Sequence, residues 1–91
     1  MIMYWLLVFN NGMLINFGFV QITNSTRQEV VLPCTYKNFY LCSATSCPGP
    51  SNHGEGYCAW VWNKTLTKIT ITNKEYGTDV STRVDYICIG S

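Results

Sequence analysis

At 91 residues the chain has room for one domain, and a core that small is short of stability unless something staples it. Six basic and five acidic residues give a net charge of +1 and form no basic cluster, which argues against a nucleic-acid-binding face. A single histidine, with no defensible Ser-His-acid spacing and no glycine-rich phosphate loop, argues against an enzyme.

The first 26 residues carry no charged side chain. Residues 1–9 are apolar, Asn10-Asn11-Gly12 interrupts them, and residues 13–20 resume the apolar run. Such a run reads as a secretory signal peptide over residues 1–18, ending at Gly18 and leaving 19–91 as the mature domain. An uncleaved anchor and a buried core element are the rival readings. Two glycosylation sequons follow, Asn24-Ser25-Thr26 and Asn63-Lys64-Thr65. Both fit a secreted chain, although composition alone would give about as many.

Residues 19–23 are expected to form a short first strand, followed by a polar turn. Residues 28–36 alternate, with Val30, Leu32 and Cys34 on one face and Glu29, Val31 and Thr35 on the other. Residues 38–57, with Pro48-Gly49-Pro50 and Gly54-Glu55-Gly56 as breakers, read as a long loop that something must tie down. A strand over residues 57–63 places Cys58, Trp60 and Trp62 on one face, and at least one tryptophan is expected in the core. Residues 65–72 follow with Ile69 and Ile71 inward, and a turn is expected over 73–77. The last strand, residues 83–89, aligns Val84, Tyr86 and Cys88. No window holds a helical stripe, so the chain is expected to be all-β.

Five cysteines, Cys34, Cys42, Cys47, Cys58 and Cys88, leave one unpaired and about 15 arrangements open. Cys34 and Cys88 close two β-branched strands, with Tyr86 two places ahead of the second cysteine. That arrangement matches the cross-sheet bridge and tyrosine corner of an immunoglobulin-like β-sandwich. Cys34–Cys88 is therefore the expected bridge.

The stretch Leu32-Pro33-Cys34-Thr35-Tyr36, with Cys42, Cys47-Pro48, Cys58 and Trp62-Asn63, resembles the variable-type domain of the T-cell immunoglobulin and mucin receptor family. It covers roughly residues 28–63. The resemblance implies that Cys42, Cys47 and Cys58 belong to a loop folded back on one sheet by extra disulfides. Ser43 stands where that family has a core tryptophan, and isoleucines flank Cys88 where it has a paired cysteine. Few residues separate Trp62 from Cys88, and little chain follows, so an abbreviated domain lacking its final strand is expected. No ligand-binding residue carries over.

A rival chemistry is a zinc site built from Cys42, Cys47, His53 and Cys58, the ligand set of a Cys3His centre in an intracellular module. The apolar leader favours an oxidising compartment, where thiols pair instead, so no cofactor or metal is assigned. The sequence thus reads as an extracellular, secreted or cell-surface recognition module of an immune receptor or a viral mimic of one. A protein ligand or receptor is its expected partner. Attachment to a membrane would come through the leader or a further C-terminal region, and a dimer through the leftover cysteine. Phe39, Tyr40, Tyr57, Trp60 and Trp62 supply aromatic groups for recognition. A small disulfide-rich secreted ligand is the alternative.

Overall fold

A computed structural model of the chain describes residues 2–22, 27–47, 56–75, 78–79 and 82–91. Its strands are β1 (Ile2–Val8), β2 (Leu14–Gln21), β3 (Arg27–Val31), β4 (Leu41–Cys47), β5 (Tyr57–Lys64), β6 (Lys68–Glu75), β7 (Thr78–Asp79) and β8 (Arg83–Gly90). One sheet has the order β1-β2-β8-β4; the other has β3-β6-β5, with β7 also pairing β6. Every pairing is antiparallel. The chain is all-β, as its alternation predicts.

The first hairpin turns where the apolar run breaks. Gly12 sits at φ +87°, the left-handed region that glycine enters without steric cost. The Gly12 amide donates to the Phe9 carbonyl, the Phe9 amide donates to the Met13 carbonyl, and the Asn11 side chain accepts from the Met13 amide. Asn-Gly between two apolar runs is the strongest short-range hairpin signal. These residues fold β1 back on β2 in full register, from Ile2 opposite Val20 to Val8 opposite Leu14. In the chain as given, residues 2–22 are thus built into the sheet. Cleavage after Gly18 would remove β1 and most of β2.

The core lies between the sheets. Val20, Val84, Tyr86 and Cys88 face it from one side and Val30, Ile69 and Ile71 from the other. Ile22, Leu32, Tyr36 and Tyr40 fill it from the connections. Each such aliphatic or aromatic side chain contributes about 1.5–3 kcal/mol on burial. The alternation expected over residues 28–36 shows in the burial of Val30 and Leu32 against exposed Glu29, Val31 and Thr35, but the strand itself ends at Val31 and Cys34 is half-buried.

Residues 32–40 cross from one layer to the other with their backbone tied at intervals. The Leu32 amide donates to the Thr67 carbonyl, that of Tyr36 to Leu66, and those of Lys37 and Asn38 to Ser91. Tyr36 and Tyr40 stack with centroids 4.1 Å apart. Gly90 packs beneath them, where a Cβ would lie 2.5 Å from that of Tyr40.

Several expectations are corrected. Residues 41–47 form β4 rather than loop, because β8 offers a free edge and pairs with it from Leu41–Ile89 to Cys47–Arg83. The apolar run before Thr23 is a hairpin, so the strand expected at 19–23 begins at Leu14. Asn73 to Glu75 continue β6 instead of turning. Trp60 and Trp62 are both exposed, at 40% and 51%, because their face of β5 points away from the core. The expected loop residues 48–55 lie outside those described.

Candidate recognition site

Cys88 is bonded to Cys42, its direct partner across the β4–β8 ladder, with Cα atoms 4.1 Å apart. The expected Cys34–Cys88 bridge is corrected accordingly. Once β4 forms, Cys42 lies beside Cys88 in the same sheet, while Cys34 approaches from the opposite layer. A bond spanning 46 residues of sequence adds about 4 kcal/mol in the chain-entropy model. Cys34, Cys47 and Cys58 remain thiols, so three of the five are unbonded rather than one.

Cys34 marks where the layers are joined. Asn16, on β2 beside Cys88, donates through Nδ2 to Cys34 Sγ at 3.1 Å and to the Tyr36 hydroxyl at 2.7 Å. The Tyr36 hydroxyl in turn donates toward the Cys88 carbonyl at 3.2 Å. Tyr40 donates to the Thr65 carbonyl at 2.8 Å, and Lys64 Nζ donates to the Tyr40 carbonyl. Burial drives the Tyr36 hydroxyl above its ordinary pKa and pushes Tyr40 up to about 12. Tyr86 is likewise pushed up to about 12, by burial first and then by the neighbouring Tyr4. Its hydroxyl finds no partner among the described residues, so the expected tyrosine-corner bond is absent there.

On the outer side of the first sheet, Asp85 accepts from Arg83 Nε at 2.7 Å and from Cys47 Sγ at 3.0 Å. Burial alone would raise the Asp85 carboxyl, but these two donors outweigh it and hold it below the usual range. Burial, with Asp85 alongside, pushes the Cys47 thiol up, which makes it a poor nucleophile. The β8 register alongside β4 brings Cys47 to Asp85, while Arg83 lies two residues away on β8 itself.

A concave feature lies where β4 and β5 meet. Phe39, Cys42, Val61, Trp62, Asn63 and Lys64 line a cleft of about 390 Å³. Phe39 is 77% exposed, and the Arg27 guanidinium sits 3.8 Å over the Trp62 ring, a cation–π contact. A bulge between Val61 and Asn63 turns this part of β5. Of the aromatics expected to serve recognition, Phe39, Trp60 and Trp62 are exposed. Tyr40 is buried, and Tyr57 is half-buried beside Glu75, whose hydrogen bond raises its pKa.

Asn63 is exposed at the cleft, whereas Asn24 lies outside the described residues. Of the zinc set, Cys42 is committed to a disulfide and His53 lies outside the described residues. Among the described residues no helix is long and apolar enough to cross a membrane.

No protein-family model matches the chain, and no curated protein matches it. A solved structure, that of an N-truncated R2-type pyocin tail fiber, resembles it with a TM-score of 0.72 at 17% identity. The similarity covers 97% of this chain, which spans about a third (34%) of the length of that one. At this identity the likeness is one of fold alone.

Proposed function

We propose that the chain is an extracellular recognition module, an immunoglobulin-like sandwich that binds a protein partner through the surface formed by Phe39, Trp60 and Trp62. One observation carries the reading. Of three large aromatic side chains that a small core would be expected to bury, Phe39 and Trp62 stand exposed in the lining of a cleft, and Trp60 is exposed on the same strand as Trp62. Aromatic groups beside a cation are what interface centres are enriched in, and here Arg27 and Lys64 supply the charge. The cleft offers an amide and an amine but no acid–base pair, which favours binding over catalysis.

The disulfide supports an oxidising, extracellular setting, with which the two sequons are compatible. The immune-receptor reading rests on the cysteine and Trp-Asn pattern of residues 28–63. A second reading draws on the fold shared with a tail fiber: a β module carried within a longer, fibre-like protein.

Purified chain screened against an array of extracellular protein domains tests the proposal. A partner bound by the wild type and lost in Trp62→Ala and Phe39→Ala, with melting temperature unchanged, is the expected result. Partners that bind those variants equally well would overturn it. Occupancy of the Asn63 sequon would place a glycan at the cleft mouth, so a glycosylated form should bind less.

A further inference from the structure

We propose that two copies of this chain associate through β1, pairing antiparallel across a two-fold axis at Trp5 to join their first sheets into one of eight strands. The inference goes beyond the recognition surface at Phe39 and Trp62 and stands independently of it.

β1 is an edge strand: it pairs with β2 on one side, and on its other side the backbone N–H and C=O groups meet no strand among the described residues. Natural sheets guard such edges with charges, prolines or brevity, because open edges template pairing. Two of the four sheet edges here follow that rule: β3 carries Arg27 and Glu29, and β5 ends in Asn63 and Lys64. The other two, β4 and β1, have seven residues each and neither charge nor proline. β4 still alternates with the polar side chains of Ser43, Thr45 and Ser46, whereas β1, Ile2 to Val8, is apolar or aromatic at every position.

Both faces of β1 are open as well, for none of its seven residues is buried. Met3, Trp5 and Leu7 stand 44–47% exposed on the outer face, and Ile2, Tyr4 and Val8 are exposed on the other. A molecule resting on one face would leave the other wet, whereas a strand added at the edge flanks both.

The strand's own chemistry selects a second copy as that occupant. Antiparallel pairing about Trp5 sets Ile2 opposite Val8, Met3 opposite Leu7 and Tyr4 opposite Leu6 of the second copy. The two Trp5 side chains meet on the axis. In a symmetric pairing, charges near the axis face their own images, and like charges directly opposite destabilise; β1 has none. The apolar rows then run on without a break. Trp5 continues into Phe17 and Ile87, and Leu7 into Ile15 and Ile89. Stacking on Phe17 at 5.5 Å already holds the Trp5 ring on the outer face.

Sedimentation velocity on the full 91-residue chain tests this. A dimer with a dissociation constant of about 10 μM or tighter is expected. Trp5→Lys, which sets two ammonium groups together on the axis, should weaken it by tenfold or more, roughly the least a single misplaced charge does. Leu41→Lys, on the far edge of the same sheet, should leave it unchanged.

A wild-type chain that stays monomeric overturns the proposal, including the case in which β1 serves a different protein. Equal weakening by both lysine variants also overturns it, since that would place the contact on the sheet face. Should Trp5→Lys fail to fold, hydrogen exchange on the wild type decides. Protection of the β1 amides that rises with concentration is expected, and protection independent of concentration refutes edge pairing.

Discussion

The two sheets of this small domain are built from different materials. The first, β1-β2-β8-β4, carries its charge at Arg83 and Asp85 near one end, and otherwise presents Trp5, Phe17, Ile87 and Ile89 outward. The second, β3-β6-β5, is laced with Arg27, Glu29, Lys64, Lys68, Lys74 and Glu75, and a cross-strand ion pair joins Lys68 to Glu29 at 3.4 Å. One sheet is stapled covalently within itself; the other relies on buried isoleucines and polar edges. The contrast shows that alternation alone cannot tell an inner from an outer face when both are apolar. In the second sheet the charged side marks the outside. In the first, only the packing of the opposite layer does.

The largest expected effect separates a staple within the sheet from one between sheets. Cys42→Ala should lower stability by about 4 kcal/mol in thermal or denaturant unfolding, since it removes the Cys42–Cys88 bond. Cys34→Ala should cost far less, on the order of 1 kcal/mol, for a thiol that accepts a single hydrogen bond. A reversed order would mean that Cys34 holds the covalent partner and that the sheets are stapled to each other.

Next comes the alkaline limit, where the tyrosines that fill the space between the layers respond. Tyr40 and Tyr86 are nearly fully buried and have folded-state values pushed up to about 12, above the ordinary 10.0. A raised value means that the neutral form is favoured in the folded state. Its stabilising contribution is therefore complete below about pH 10 and is lost as pH rises toward 12. Each tyrosine accounts for about 2–3 kcal/mol at most across that window. Unfolding midpoints measured from pH 8 upward should hold steady and then fall steeply; a flat profile to pH 12 would mean that these hydroxyls are wet. Tyr86→Phe should flatten part of the fall, because its hydroxyl meets no partner among the described residues and its removal leaves nothing unpaired.

The smallest effect belongs to the charged sheet. Glu29→Gln breaks the ion pair with Lys68, whose groups are both about half exposed, and should change stability by no more than about 1 kcal/mol, less at high salt. A larger loss would mean that the second sheet depends on charge in a way its buried Ile69 and Ile71 do not indicate.

Much of the fold was legible in order of residues. Period-two alternation marked Val30 and Leu32, Ile69 and Ile71, and Val84, Tyr86 and Cys88 as inward, because each stretch has a polar or exposed face to contrast with. The first hairpin was also written there, in Asn11-Gly12 between two apolar runs. Length and lack of charge made the same residues read as a leader. The recognition aromatics were visible as residue types, but not their exposure: the face shared by Trp60 and Trp62 carries no charge to label it as outer.

Residue order by itself determined an all-β chain with strands near the right places and a cysteine framework calling for a disulfide. Tertiary structure decided which cysteines meet. Cys42 pairs with Cys88 because β4, polar and short of strand-forming signals, takes its conformation from the free edge of β8. Strand pairing is a contact between residues far apart in the chain, so no local pattern in residues 41–47 could announce it. The same holds for β1, whose apolar residues read as a leader in sequence, while only the sheet shows that they pair with β2 and form an edge among the described residues.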